Sequence, residues 1–115
     1  MLKRENRLTK RKEFNYVYRK GSKLNFGQIT IYSIKSKFAF PRFGISVNNK
    51  VGNAVLRNKI KRRLRSILCE YVEKIMHKNI IVVAHNEVID LDYQSLKQLV
   101  YKAFSKGKII NEINS

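Results

Sequence analysis

Residues 50–65 read KVGNAVLRNKIKRRLR, and two patterns run through them at once. Placed on a helix beginning at about Asn53, Leu56, Ile60 and Leu64 fall on one side, and the stripe continues through Ile67, Leu68, Tyr71 and Ile75. That period of 3.6 predicts a long amphipathic helix from about Asn53 to Met76. On a flank of the same wheel Arg57, Lys61 and Arg65 stand at i, i+4 and i+8, with Asn58 and Arg62 beside them. A solvated helix face usually alternates its charges to form i, i+4 pairs, yet residues 50–65 contain no acid. A row of cations suits a phosphate backbone, and the arginine fork suits phosphate oxygens in particular. The helix start behind Gly52 and Asn53 adds free backbone N–H groups and the positive end of the dipole.

Outward from this helix the elements follow one another with short connections. Upstream, Arg42-Phe43-Gly44-Ile45-Ser46-Val47 and residues 28–34 (QITIYSI) are β-branched and aromatic and predict two strands. A turn at Lys35-Ser36-Lys37 joins them, and Asn48-Asn49-Lys50 with Gly52 forms the loop into the helix. Before the strands, Thr9 is expected to cap a helix that runs to Lys20 and stops at Gly21, with Phe14, Val17 and Tyr18 on one face. Downstream, Asn79–Ala84 predicts a buried strand. Asp92 then caps a helix with Leu96, Leu99, Val100, Ala103 and Phe104 in register, stapled by Leu91 and ended by Gly107. The order α-β-β-α-β-α predicts an α+β fold, a two-layer sandwich of a small mixed sheet with helices, as one domain over residues 1–115.

The chain carries 25 Lys and Arg against 8 Asp and Glu, a net charge of +17. Residues 1–65 hold 19 of the cations with only Glu5 and Glu13, a balance of +17, whereas residues 66–115 hold 6 of each sign. A field confined to one part of a chain implies a polyanionic partner, nucleic acid before an anionic membrane. With 43% hydrophobic residues a core can form, which excludes a disordered basic tail. The longest apolar run, Ile80–Ala84, is too short for a membrane span, and the charged start MLKRENRL is unlike a signal peptide. One cysteine, Cys69, permits no internal disulfide. A cytoplasmic protein with no membrane partner and no small-molecule substrate is expected.

Phe14 and Tyr18 lie one helical turn apart among Arg11, Lys12, Arg19 and Lys20, and Tyr32 is on an adjacent strand. Aromatic rings in a basic groove hold single-stranded nucleic acid by stacking; ordinary core packing is the other reading of all three. His77 and His85 have no partners at ligand spacing, and Asp90 and Asp92 are explained by a turn and a cap. No catalytic residue and no metal ligand is expected on the chain.

Residues 50–65 closely resemble the signature of the bacterial ribonuclease P protein component, in which a GNAV segment precedes an Arg-Asn-Arg/Lys triplet, a Lys-Arg and a further Arg. Arg7-Leu8, Glu13-Phe14, Val17-Tyr18 and Gly21 resemble the family's first helix, and Arg42–Val47 its strand before the signature loop. The resemblance spans the whole chain. It implies a non-catalytic subunit of a tRNA 5′-processing endoribonuclease, whose partners are a catalytic RNA and precursor tRNA. The protein binds no cofactor of its own; magnesium acts through the RNA. It further implies a left-handed β-α-β crossover, against the usual hand. Carried over to this sequence, Lys50, Asn53, Arg57, Asn58, Lys61, Arg62 and Arg65 face RNA, and Phe14, Tyr18 and Tyr32 line a cleft for the 5′ leader. Asn48 and Asn49 depart from the Ser-Lys usual there. A ribosomal or other structural RNA-binding protein is the alternative reading, and a protein-only nuclease is a third.

Overall fold

A computed structural model describes residues 2–109. Three α-helices, α1 (Arg11–Lys20), α2 (Ala54–Cys69) and α3 (Tyr93–Lys106), accompany four strands, β1 (Ser22–Phe26), β2 (Ile29–Lys35), β3 (Arg42–Val47) and β4 (Lys78–Ala84). The expected elements occur in the expected order, and β1 joins them. The sheet runs β1-β2-β4-β3. β1 with β2 and β2 with β4 are antiparallel, while β3 and β4 are parallel and linked through α2. That parallel β3–α2–β4 unit is where the resemblance puts its crossover.

Strand alternation divides the core between two faces. Ile29 and Ile31 of β2, Phe43 of β3 and Ile80, Val82 and Ala84 of β4 pack with Ile60, Leu64, Ile67 and Leu68 of α2 and Leu96, Val100, Ala103 and Phe104 of α3. This is the two-layer body. On the opposite face Ile81 packs with Val17 of α1 and with Leu8, flanked by Phe14, Tyr32, Ile34 and Val83. α1 crosses that face, with Val17 buried in the cluster and Tyr18 left exposed beside it.

Three local differences from the sequence reading have physical causes. α2 ends at Cys69, not Met76. Beyond it the N–H groups of Glu70, Tyr71 and Lys74 donate three residues back, to Ile67, Leu68 and Tyr71. The tightened turns keep Tyr71 and Ile75 in the core while the chain swings into β4. α1 has Lys10, not Thr9, at its N-cap position; the Glu13 Oε1 atom accepts from the Lys10 N–H at 3.3 Å. β1 and β2 form a hairpin around Gly27, whose φ of 61° suits the first central residue of a tight turn.

Candidate nucleic-acid interface

The loop between β3 and α2 is built by its own side chains. Asn48 Oδ1 accepts from the Lys50 N–H at 2.9 Å, and the Asn48 N–H donates to Ala84 at 3.0 Å, fixing the end of β3 beside β4. Gly52 has φ 150°, and a Cβ there would sit 2.7 Å from Leu56 Cδ1, so a side chain is excluded by strain and by space. Asn53 Oδ1 caps α2 by accepting from the Leu56 N–H at 3.0 Å. Arg57 Nη1 donates to the Gly52 carbonyl at 2.7 Å, which ties the first turn of the helix to the loop. Only one of its five donors is used in this way.

Below Arg57 the flank continues as expected. Lys61 and Arg65 are half-buried and line a depression with Arg7, Leu8, Thr9, Phe14 and Phe43. Lys50, Asn53, Asn58 and Arg62 are exposed along the same loop and helix. Among the described residues the ion pairs are Arg42–Glu13 and Lys97–Glu70, so no flank cation has a carboxylate partner. Arg63 turns the other way, donating to the Leu91 carbonyl at 3.3 Å. The structure thus gathers all seven expected positions on one loop and helix.

The three aromatics also meet. Tyr18 and Tyr32 pack edge to face with centroids 4.8 Å apart, and Phe14 lies 6.3 Å from Tyr18. Phe14 sits over Gly44, where an added Cβ would fall 2.6 Å from its ring. Phe14 and Tyr32 are half-buried against the Val17–Ile81 cluster, whereas Tyr18 is 36% exposed. Phe14 and Tyr32 thus pack against the core cluster, and Tyr18 keeps part of its ring in solvent. Burial pushes the Tyr18 hydroxyl pKa up, partly offset by its hydrogen bond with Ser46.

Several residues of this site escaped sequence reading. Lys23 of β1 places its Nζ 5.8 Å from the Tyr32 centroid. The buried Thr30 hydroxyl joins Asn25 Oδ1 at 3.1 Å and His85 Nε2 at 2.7 Å. Arg7 approaches Lys61 and Arg65 because the Leu8 N–H donates to Phe43 at 2.8 Å, laying the N-terminal segment along the edge of β3. For Lys23 the signal was the short Leu24/Phe26 alternation; the other contacts join residues far apart in sequence and leave no local pattern.

Arg42 fastens α1 to β3 through a 2.6 Å pair with Glu13, both side chains largely buried. Burial pushes the Glu13 pKa up, but hydrogen bonds from Arg42 and Lys10 outweigh it and hold the carboxyl below its ordinary 4.5. A depressed folded value stabilises the protein above the unfolded pKa, and that stabilisation is lost as pH falls through the folded value. The stability difference between wild type and Glu13→Gln should therefore shrink between about pH 5 and about pH 3 in urea unfolding. A difference that stays constant over this window would show that the pair does not anchor α1.

Among the described residues no group of three His, Cys, Asp or Glu could hold a metal ion, and no helix is long and apolar enough to cross a membrane. Comparison with known proteins agrees with the geometry. The profile of the family described as Ribonuclease P matches residues 2–108. The ribonuclease P protein component of Streptococcus equi subsp. equi is 32% identical over 111 residues, covering 96% of this chain and 93% of its own. That of Bacillus pumilus is 34% identical over 113 residues, covering 96% and 95%. The RNase P protein structure from Staphylococcus aureus superposes with a TM-score of 0.87 at 34% identity, covering 92% of this chain and 98% of its own. The Thermotoga maritima RNase P protein shares the fold, with a TM-score of 0.79 at 24% identity over 87% and 96% of the two chains. The family profile over residues 2–108, the relatives above 30% identity and the shared fold together mean that the chain belongs to the ribonuclease P protein family.

Proposed function

We propose that this chain, as the protein component of ribonuclease P, docks a catalytic RNA on the α2 flank and guides the 5′ leader of precursor tRNA through the cleft under α1. Lys50, Asn53, Arg57, Asn58, Lys61, Arg62 and Arg65 contact the catalytic RNA, mostly through phosphates. Phe14, Tyr18 and Tyr32 hold the extended leader. The carrying observation is the line of cations on α2 that no carboxylate neutralises among the described residues. Stacking on rings is tolerant of base identity, so the cleft measures leader length and backbone more than sequence.

The cut itself belongs to the RNA. Two-metal hydrolysis needs clustered carboxylates to hold its ions, and the basic part of this chain has Glu5 and Glu13, the latter engaged by Arg42. Magnesium would be held by the RNA, where it would supply the metal chemistry of the cut, and the protein works in the cytoplasm. Its part is to neutralise phosphate repulsion and to position the leader.

Precursor tRNA cleavage with and without the catalytic RNA at low magnesium tests this reading. The protein alone should not cleave, and with the RNA it should stimulate cleavage at the mature 5′ end. RNA binding without stimulation would indicate a structural RNA-binding protein, and cleavage without RNA a protein nuclease; either outcome overturns the proposal. In the holoenzyme Tyr18→Ala should weaken binding of a substrate with a leader of several nucleotides by about 1–3 kcal/mol, the scale of one stacked base. Mature tRNA should be bound as before, and equal losses on both substrates would place Tyr18 outside the leader site.

A further inference from the structure

The connector between β2 and β3 carries a feature that neither the α2 flank nor the cleft uses. Solvent-exposed connectors are usually polar, yet this one presents Phe38 and Phe40, stacked with centroids 5.4 Å apart and planes at 20°. Phe38 is 39% exposed. The loop is firmly held. The Ser36 N–H donates to His77 at 2.7 Å, the His77 N–H to Ala39 at 3.2 Å, and the Phe38 N–H to Ser36 Oγ at 3.2 Å. The buried Asn6 side chain donates to the Pro41 carbonyl at 2.8 Å. His77 itself takes φ 54°, a left-handed conformation that histidine tolerates better than most residues, to complete this clasp. Phe38 is thus kept exposed, with the half-buried Phe40 stacked beside it, by a hydrogen-bonded frame.

The surroundings select the occupant. Lys37 Nζ and the Arg42 guanidinium each lie 5.6 Å from the Phe38 centroid. The rings wall a depression of about 660 Å³ whose other lining residues include Arg4, Arg7, Arg42, Glu5 and Glu13. Glu13 is neutralised by Arg42, and Arg4 and Arg7 outnumber the remaining Glu5, so the net charge there is positive. Arg7 and Thr9 line both this depression and the one that holds Lys61 and Arg65. The aromatic loop is therefore continuous, through Arg7, with the α2 flank.

We propose that the Phe38–Phe40 loop is a second docking point for the catalytic RNA, taking one unpaired nucleotide with its base on Phe38 and its phosphate toward Arg4 and Arg7. A flat ring flanked by cations fits a nucleobase followed by a phosphate, and the continuity with α2 assigns the nucleotide to the RNA already held there. This rests on the reading of α2 as the RNA-docking helix.

Equilibrium binding of the full chain to the catalytic RNA, without substrate, tests it. Loss of one stacked base should lower the affinity of Phe38→Ala roughly 5- to 100-fold. Phe38→Tyr should bind like wild type, whereas Phe38→Leu, which keeps apolar bulk without a π face, should lose affinity as alanine does. In the assembled holoenzyme the ratio of affinities for leader-bearing and mature tRNA should not change in any of the three. Unchanged RNA affinity in Phe38→Ala, full binding by Phe38→Leu, or an effect confined to the leader ratio would each overturn the proposal; the last would give the site to the leader. If wild-type protein binds the RNA and these variants bind equally well, the second docking point alone is wrong. If wild type does not bind the RNA, the assignment of α2 fails with it.

Discussion

Raising salt from 50 to 200 mM is expected to weaken binding of the catalytic RNA by on the order of 10³-fold, on duplex-DNA scaling for about six neutralised phosphates. The cations so placed are Arg7, Lys50, Arg57, Lys61, Arg62 and Arg65, on or beside the α2 flank. None has a carboxylate partner among the described residues, so each can exchange a condensed counterion for itself. Replacing Arg57, Lys61 and Arg65 together by alanine should flatten the logarithmic salt dependence by about 3, and each single replacement should cost about 1–3 kcal/mol, as for hydrogen bonds to charged groups. Lys59 is the control, since it stands off the Arg57–Lys61–Arg65 line. Arg63 differs again: its bond to Leu91 makes Arg63→Ala a change in stability, not in salt dependence. Equal losses from Lys59→Ala and Lys61→Ala would show that total charge, not the line on α2, governs binding.

This line was legible in the sequence because both of its patterns are local. An apolar period of 3.6 and a cation period of four share one segment, and Asn53 announces its start. β4 was equally plain as a β-branched run. β1 was not, because Ser22–Phe26 offers only Leu24 and Phe26 to the core and owes its existence to pairing with β2. With β1 unread, Lys23 could not be placed against Tyr32. The end of α2 was overrun for a related reason: Tyr71 and Ile75 keep the helical stripe while the backbone has already tightened into turns. The aromatic residues Phe14, Tyr18 and Tyr32 could be named from the sequence, but that they pack and present at once depends on how α1 crosses the sheet. The approach of Arg7 to Lys61 and the clasp of His77 on the Phe38 loop are wholly tertiary.

Gly44 is where that crossing can be tested, and Gly44→Val is expected to destabilise the protein by about 2–3 kcal/mol, from overpacking and lost burial of the Phe14 ring. Valine suits a β-strand by intrinsic preference, so the cost arises from space alone. A Cβ at this position would lie 2.6 Å from Phe14 Cζ, 2.8 Å from Phe14 Cε2 and 3.3 Å from Ile81 Cγ1. α1 cannot simply lift away, because Val17 is fully buried against Ile81 and Glu13 is held by Arg42. The ring must leave instead, opening the aromatic side of the cleft. If Phe14 lines the leader site as proposed, leader-dependent affinity in the holoenzyme should fall together with stability. Phe14→Ala removes the obstacle, so Gly44→Val should cost much less in that background, and urea unfolding of the four proteins gives the coupling directly. Strict additivity of the two changes would mean that Phe14 does not rest on Gly44, and that α1 crosses the sheet elsewhere.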